Sequence, residues 1–194
     1  TVGHVRSRGV KLSREDSLLS GDTVKISSRD LIIKKRIGFG SCGEVMLAEW
    51  HQTLVAVKRI FRTLLHEDVM VEFKAEASML KKLRHPNIVM LMGVCMAEEE
   101  LCLVTQYMPR GSLRDVLNTT ALEYKVMLKM AIDAAKGMNY MHLFDPPIMH
   151  RDLKSHNLLV DENYGVKVTD FGLAKFHNED KNMTFCGTLP WTAP

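Results

Sequence analysis

The sequence predicts an α+β fold with two lobes: a five-stranded antiparallel sheet with one helix, followed by a mainly helical part. Residues 31–60 hold three runs of apolar and β-branched residues separated by short turns, which is the pattern of antiparallel strands. Residues 68–84 and 122–143 instead have apolar residues at helical spacing. The length of 194 residues is sufficient for two such lobes around a shared cleft.

The composition argues against two classes of function. Hydrophobic residues make up 46% and charged residues 25% of the chain, as in a globular protein, and the net charge of +3 is spread along the sequence. A nucleic-acid-binding protein would need a clustered basic stripe, so we expect no nucleic-acid partner. The longest apolar run, residues 88–97, is too short to span a membrane, so we expect no membrane segment.

The cysteines favour reduced thiols and a cytoplasmic location. None of them forms a C-x-x-C pair, so neither a zinc site nor a disulfide is indicated. The cysteines are Cys42, Cys95, Cys102 and Cys186.

The two ends of the chain carry different expectations. Residues 1–29 are rich in Ser, Arg, Gly and Asp and lack periodicity, which predicts a linker or tail, although residues 27–30 could instead cap a turn. We expect one domain over residues 30–194, with its first lobe over about 30–107 and the start of its second over 108–194. Because the chain begins without Met and ends at Pro194, we expect this domain to be partial.

A glycine-rich turn joins the first two predicted strands. Gly38, Gly40 and Gly43 form a G-x-G-x-x-G pattern, which is a weak signal alone. A dinucleotide-binding fold would require a helix directly after the glycines, whereas here an apolar strand continues through Val45. The pattern therefore favours a hairpin over phosphates, in which glycines let the backbone approach closely.

A lysine on the third strand predicts an ion pair with the following helix. The strand alternation places Lys58 on the same face as Ala56, toward the cleft. Val71, Ala75 and Met79 give the next segment its helical spacing. We take Glu76 from the middle of this helix as the partner of Lys58, with Glu72 as the alternative.

The elements that follow complete the sheet and begin the helical part. Residues 88–91 and 101–104 predict two further strands, and the Pro and Gly of residues 106–113 mark a connection whose backbone could bind an adenine edge. A short helix is predicted over residues 112–118. The longer helix over residues 122–143 is expected to be buried, because it contains many apolar residues: Val126, Met127, Met130, Ala134, Met138 and Met141.

Two motifs that bear carboxylates flank a short hairpin. Residues 150–157 read H-R-D-L-K-S-H-N, the hairpin occupies residues 158–168, and residues 170–172 read D-F-G. Together they present two carboxylates, an amide and a lysine, which indicates phosphoryl transfer.

With these motifs in order, residues 31–194 resemble the eukaryotic protein kinases. Lys154, and Gly187-Thr188 ahead of Trp191, resemble Ser/Thr specificity, whereas residues 83–89 and 107–113 resemble tyrosine kinases. The mixture is similar to the tyrosine-kinase-like group of Ser/Thr kinases, which includes Raf-like and mixed-lineage enzymes. The implied function is transfer of the ATP γ-phosphate to Ser or Thr hydroxyls of protein substrates in intracellular signalling, with Mg²⁺ as cofactor.

The resemblance implies a role for each residue of the nucleotide site. Backbone amides of the glycine-rich turn would cover the phosphates, Thr105 would lie at the back of the pocket, and Met108 would offer backbone groups to adenine. The side chains of Val45 and Ala56 would pack on the adenine, with Leu159 as the floor. The residues implied for the turn are Ile37, Gly38, Phe39, Gly40, Ser41, Cys42 and Gly43.

The resemblance also implies the catalytic roles. Lys58 would hold the α- and β-phosphates, oriented by Glu76. Asp152 would accept the proton of the substrate hydroxyl, and Lys154 would neutralise the γ-phosphate. The metal ligands would be Asn157 and Asp170.

Regulation by phosphorylation is a further expectation. Arg151, which precedes Asp152, predicts a phosphate site, with Thr184, four residues before Thr188, as the acceptor. The phosphate would pair with Arg151 and with Lys175.

The sequence leaves alternatives to an active Ser/Thr kinase. A nucleotide-binding scaffold without turnover would usually lack Lys58, Asp152 or Asp170, and all three are present. Tyrosine phosphorylation is the other alternative. Because the family's next Glu and further helices do not follow Pro194, we expect the 194 residues by themselves to be poorly folded or inactive.

Overall fold

The structure is a computed structural model that describes residues 24–39, 43–60, 67–97, 100–172, 174–176 and 188–191. The strands of the large sheet are β1 (Leu31–Phe39), β2 (Gly43–Trp50), β3 (Thr53–Ile60), β4 (Leu91–Ala97) and β5 (Glu100–Gln106). The helices are α1 (Glu67–Lys82), α2 (Leu113–Thr119) and α3 (Tyr124–His142). The short strands are β6 (Ile148–Met149), β7 (Leu158–Val160), β8 (Val166–Val168) and β9 (Lys175–Phe176). Single 3-10 turns lie at Ser28–Asp30, Ser155–Asn157 and Leu189–Trp191.

The five long strands form one antiparallel sheet in the order β1-β2-β3-β5-β4. The helix α1 connects the third and fourth strands in sequence, and α2 and α3 follow the sheet. The predicted fold class is therefore confirmed. The hairpin predicted over residues 158–168 is present as β7 and β8, which pair antiparallel.

The alternation of residues along β3 directs side chains to the two faces of the sheet, which pack against different parts of the protein. Val55 and Val57 are fully buried in a cluster that also contains Cys102 and Val104 of β5. Ala56 and Lys58 alternate with these valines and therefore point to the opposite face. Residues of α1 pack on that face, so Lys58 lies where it can meet the helix.

The helix α1 buries a face that the apolar spacing by itself did not identify. Val71 is 67% exposed, whereas Phe73, Ala77 and Leu80 are buried in the core. These three residues follow the i, i+4, i+7 spacing of one helical face, and Phe73 supplies the largest apolar surface. The spacing of Val71, Ala75 and Met79 predicted the helix itself, but of these three residues only Met79 is buried.

The fourth strand begins later than predicted. Residues 88–91 were expected to be a strand, but only Leu91 of this segment belongs to β4. The preceding residues pair with β8: Val89 N–H donates to Val168 O at 2.9 Å, and Val168 N–H donates to Asn87 O at 2.9 Å. The backbone of residues 87–89 thus joins the sheet to the β7–β8 hairpin. A local apolar pattern cannot distinguish such a connecting segment from a strand of the sheet.

The long helix α3 is buried on one side only. Met130 and Met141 are buried, and α3 packs on β8. Met127, which was expected to be buried, is 42% exposed, as are the neighbouring Leu128 (48%) and Ile132 (45%). The described part of the chain covers only the face of α3 that turns toward the hairpin, so the apolar composition overstated its burial.

Residues 24–26 are part of the fold. Ile26 is buried in the core, and its N–H donates to Val94 O at 2.9 Å. These described residues of the predicted tail (residues 1–29) therefore belong to the fold, and a 3-10 turn capped by Ser27 leads into β1. Within the described ranges, no helix has the length and apolar character that a membrane span requires.

Candidate active site

The ion pair of Lys58 with Glu76 joins the sheet to the helix. Lys58 Nζ donates to both Glu76 Oε1 and Oε2 at 2.8 Å. Glu76 is buried on the inner face of α1, whereas Glu72, the alternative partner, is exposed. We call this contact the strand–helix pair. Its bidentate geometry holds the ammonium group at a fixed position over the cleft.

Asp170 lies at the other side of the same ammonium group. Its Oδ1 is 3.5 Å from Lys58 Nζ. Burial by itself lowers the pKa of Lys58, but attraction to the carboxylates of Glu76 and Asp170 outweighs it, so the pKa lies above its ordinary value of 10.5. Lys58 is therefore a permanent cation between a carboxylate of the helix and the carboxylate of the D-F-G segment.

The second group of contacts surrounds Asp152. Lys154 Nζ lies 2.8 Å from Asp152 Oδ2, and Asn157 Nδ2 donates to the same oxygen at 2.9 Å. Thr188 Oγ1 donates to Asp152 Oδ1 at 2.6 Å and accepts from Lys154 Nζ at 2.7 Å. We call these four side chains the Asp152 network. They hold the carboxylate in one orientation.

The Asp152 network keeps its carboxylate ionised. Partial burial raises the pKa of Asp152, but the hydrogen bonds from Lys154 and Thr188, the charge of Lys154 and the hydrogen bond from Asn157 together lower it below the ordinary value of 3.8. A carboxylate of this kind is a weak base. It can accept a hydrogen bond from a hydroxyl at neutral pH and take the proton once the hydroxyl has become acidic.

The backbone of Thr169 connects Asp170 to the loop that carries Asp152. Thr169 N–H donates to Asn157 O at 3.0 Å, and its carbonyl lies 2.9 Å from His150 Nε2. Asp152 N–H donates to His150 Nδ1, so Nε2 of His150 carries the proton and donates to Thr169. The two predicted metal ligands, Asn157 and Asp170, are brought together by these bonds.

His150 is a site residue to which the sequence analysis gave no role. It is 1% exposed and packs beside the ring of Phe171, with 5.3 Å between ring centroids. Burial lowers its pKa below the ordinary 6.5 despite the hydrogen bond to Thr169 and the nearby carboxylates. Its position directly before Arg151 and Asp152 was the available signal, but its contact with Thr169 depends on how the hairpin folds back.

Strained backbone occurs at both ends of the hairpin. Arg151 has φ of 64° and Asp170 has φ of 65°, in the left-handed region that few non-glycine residues adopt. Such conformations cost on the order of 1–3 kcal/mol and persist where surrounding contacts fix them. Here they turn Asp152 and Asp170 toward the cleft.

The residues predicted to contact adenine lie around the junction of the sheet with the following segment. Ala56 and Thr105 are opposite each other on β3 and β5. Met108 is 4% exposed, and its carbonyl accepts from Gly111 N–H at 3.2 Å, which leaves one lone pair for a ligand. Leu159 on β7 forms a bridge with Ser112, which brings the predicted floor beneath this junction.

The glycine-rich turn is described only at its ends. Gly38 lies against Val45, since a Cβ on Gly38 would be 3.3 Å from Val45 Cβ. Ile37 is 41% exposed and Phe39 71% exposed. Gly43 begins β2, and a Cβ there would overlap the carbonyl oxygen of Arg59. Residues 40–42, and therefore the predicted roles of Gly40, Ser41 and Cys42, lie outside the described residues.

The predicted phosphorylation site is also outside the described residues, because Thr184 falls in residues 177–187. Arg151, its predicted partner, lies next to the Asp152 network. Thr188 belongs to that network, where its hydroxyl contacts both Asp152 and Lys154.

Comparisons with known proteins agree with this geometry. A family model described as protein tyrosine and serine/threonine kinase matches residues 31–194. A probable serine/threonine-protein kinase of Dictyostelium discoideum is 52% identical over 186 residues, which cover 93% of this chain and 18% of that protein. The probable serine/threonine-protein kinase drkA of the same organism is 45% identical over 192 residues, or 97% of this chain and 30% of its own length.

A plant protein is similarly close. The serine/threonine-protein kinase CTR1 of Arabidopsis thaliana is 46% identical over 182 residues, which cover 91% of this chain and 22% of CTR1. The chain thus spans less than a third of the length of each of these relatives. Because the family model covers most of the chain, the chain belongs to the protein tyrosine and serine/threonine kinase family.

Proposed function

We propose that the protein is an ATP-dependent serine/threonine kinase, which transfers the γ-phosphate of ATP to Ser or Thr hydroxyls of protein substrates. The observation that carries this proposal is the pair of ion clusters across the cleft, one at Lys58 and one at Asp152. The names of the relatives support the choice of Ser/Thr acceptors.

The residues of the strand–helix pair would bind the nucleotide. Lys58 is a permanent cation held by Glu76, so it can contact the α- and β-phosphates without moving. Asp170 lies 3.5 Å from Lys58 Nζ, and this distance supports a metal ligand beside the phosphates. The backbone of Met108 would bind adenine between Ala56 and Leu159.

The donor set fits Mg²⁺ bound mainly through phosphate oxygens. Asn157 Nδ2 is taken by Asp152, so the amide oxygen Oδ1 is the atom that can serve as a ligand. Asp170 supplies a carboxylate, and both are hard oxygen donors. In proteins Mg²⁺ is usually bound by one or two carboxylates together with phosphate oxygens of the substrate. When bound, Mg²⁺ neutralises phosphate charge.

Asp152 and Lys154 would act at the transferred group. The substrate hydroxyl would donate a hydrogen bond to Asp152 and attack the γ-phosphorus as the bond to the bridging oxygen of ADP breaks. The hydroxyl proton passes to Asp152, whose low pKa suits a transfer that occurs late. Lys154, only 2.8 Å from Asp152, would stabilise the charge of the phosphoryl oxygens.

Phosphoamino-acid analysis of the whole protein tests the proposal. The protein is incubated with radiolabelled ATP, Mg²⁺ and a mixed protein substrate, beside an Asp152→Asn control. Phosphoserine and phosphothreonine that depend on Asp152 support the proposal. Phosphotyrosine as the main product would show a tyrosine kinase, and ATP binding with equal background labelling in both proteins would show a nucleotide-binding scaffold.

A further inference from the structure

A groove of about 500 Å³ lies beside the sheet, away from the residues of the candidate active site. Its apolar floor includes Leu80 from α1, Ile88, Met90 just before β4, and Met92 in β4. None of Lys58, Glu76, Asp152 or Asp170 lines it. Among the described residues that line it, none is acidic, whereas Lys81, Arg84 and Lys167 are basic. The groove therefore suits an apolar segment that carries negative charge.

One wall of the groove is the edge of the sheet. β4 is the last strand in the order β1-β2-β3-β5-β4, so one side of its backbone faces away from the sheet. Residues just before β1 already pair with this edge: Val94 N–H donates to Val24 O at 3.0 Å, and Ile26 N–H donates to Val94 O at 2.9 Å. A Cβ on Gly93 would collide with Val24 O, so glycine permits this close approach.

The pairing of the described residues brings the start of this segment to the groove. Lys25 pairs with Val94 in the parallel sense. Val24 therefore lies beside Gly93, next to Met92 of the groove. Val24 itself lines the groove, so the segment before it starts at the groove wall.

The charge of that segment is complementary to the groove. The net charge of the chain changes from positive to negative within its first 23 residues. Residues 1–14 contain four basic and no acidic residues, whereas residues 15–23 contain no basic residue, the adjacent pair Leu18 and Leu19, and three acidic residues, which are Glu15, Asp16 and Asp22. At about 3.3 Å per extended residue, Leu19 can reach roughly 17 Å from Val24, along the groove.

The similarity to one relative extends upstream of the family domain. The family model begins at residue 31. The similarity to drkA covers 97% of this chain, which requires that it include most of the residues before 31. The sequence next to the groove thus accompanies the family domain in that relative.

We propose that residues 15–23 of this chain dock in the groove, next to the edge of β4. Leu18 and Leu19 lie on the apolar floor, and Glu15 and Asp16 face Lys81 and Arg84 near the end of α1. Because α1 carries Glu76, the segment links the N-terminal residues to the helix of the strand–helix pair. The docking does not rest on phosphoryl transfer, and its test uses no activity.

Carbodiimide cross-linking of the whole protein tests the contact directly, because the reagent joins a carboxylate to a nearby lysine amine. We expect peptides that link Glu15, Asp16 or Asp22 to Lys81 or Lys167. An equal mixture of ¹⁵N-labelled and unlabelled protein distinguishes cross-links within one chain from cross-links between two copies. Links within one isotope class support docking in the same chain. Links that join both classes would show that a second copy fills the groove, and links only to other lysines would also overturn the proposal.

Hydrogen exchange provides the second test. In Leu18→Asp/Leu19→Asp, amides of residues 90–93 should exchange roughly tenfold faster than in the unmodified protein. The matched control Arg6→Glu/Arg8→Glu changes two charges in the basic part of the tail and should leave that exchange unchanged. Lys81→Glu/Arg84→Glu should likewise increase exchange, and adding Glu15→Lys/Asp16→Lys should restore protection. Equal exchange in all of these variants would contradict the docking.

Discussion

The strand–helix pair and the Asp152 network are both ion clusters, but their residues are brought together in different ways. Lys58 and Glu76 are 18 positions apart, on a strand and a helix, and meet only when α1 packs on the sheet. Asp152, Lys154 and Asn157 lie within six consecutive residues of one loop. Only Thr188 joins this network from a distant part of the chain.

The difference predicts different responses to perturbation. A shift of α1 would separate Glu76 from Lys58 and leave the Asp152 loop in place. The proposed nucleotide site would then change while the proposed catalytic carboxylate would not. The Asp152 loop is instead held by its own hydrogen bonds and by His150, through the backbone of Thr169. Four substitutions test this division, in order of expected effect, and the last three of them each have a control substitution.

Asp152→Asn should give the largest loss of turnover. The amide cannot take the hydroxyl proton, so kcat should fall by about 10²–10⁴-fold. The affinity for Mg²⁺–ATP should change little, because the strand–helix pair is intact. Steady-state kinetics and nucleotide titration of the whole protein measure the two quantities, and a matched loss of nucleotide affinity would show that the two clusters are not separable.

Lys58→Met should weaken both nucleotide binding and the fold. Glu76 would be left as a buried carboxylate without its lysine, and the free energy of unfolding should fall by about 1–3 kcal/mol. This is less than for a fully buried pair, because the Lys58 side chain is 36% exposed. Urea denaturation measures the stability, and nucleotide titration should show about tenfold or greater loss of affinity.

Lys34→Met is the matched control for Lys58→Met. Lys34 lies 2.6 Å from Glu49, whose side chain is 30% exposed, whereas that of Glu76 is only 10% exposed. A pair of this kind contributes at most about 1 kcal/mol. A stability loss as large for Lys34→Met as for Lys58→Met would mean that burial of Glu76 is not the reason for the effect.

Thr188→Val should reduce turnover by about tenfold, since it removes a hydrogen bond to a charged carboxylate. It should also raise the pKa of Asp152, because one of the interactions that lowers it is lost. The acid limb of the kcat profile would then move toward neutral pH. Thr188→Ser keeps the hydroxyl and should restore both values, and a Ser variant as impaired as Val would assign the effect to packing.

His150 should make stability depend on pH in a defined direction. Its pKa in the folded protein is below the 6.5 expected for the unfolded chain. At a pH between the folded and the unfolded pKa, the unfolded chain therefore binds more protons than the folded protein. The free energy of unfolding should therefore fall as the pH drops below about 6.5, by up to about 1.4 kcal/mol per pH unit. Urea denaturation at pH 7.5, 6.5 and 5.5 measures it, and His150→Gln should flatten the curve.

Substitution of the exposed His142 is the control for the pH experiment. His142→Gln should leave the dependence below pH 6.5 unchanged, because the side chain is in solvent. If His142→Gln flattened the curve and His150→Gln did not, the buried histidine would not be the titrating group.

Much of the site was predictable where its chemistry is carried by local motifs. Asp152, Lys154 and Asn157 were named from one eight-residue stretch, and the predicted choice of Glu76 over Glu72 agrees with the contact that Lys58 makes. The buried face of α1 was not predicted, because the spacing that identified the helix includes the exposed Val71 and does not show which face carries the larger apolar surface. His150 had no predicted role, since its acceptor is a backbone carbonyl 19 positions away.

The sequence by itself determined the fold class, the order of the elements and the residue types of both clusters. These follow from periodicity, turn residues and short-range motifs, which depend only on neighbouring positions. The tertiary structure decided the pairing of residues 87–89 with β8, the entry of Thr188 into the Asp152 network and the parallel contact of residues 24–26 with β4. Those contacts join segments far apart in the chain, and they depend on the free energy of packing the whole core rather than on any local pattern.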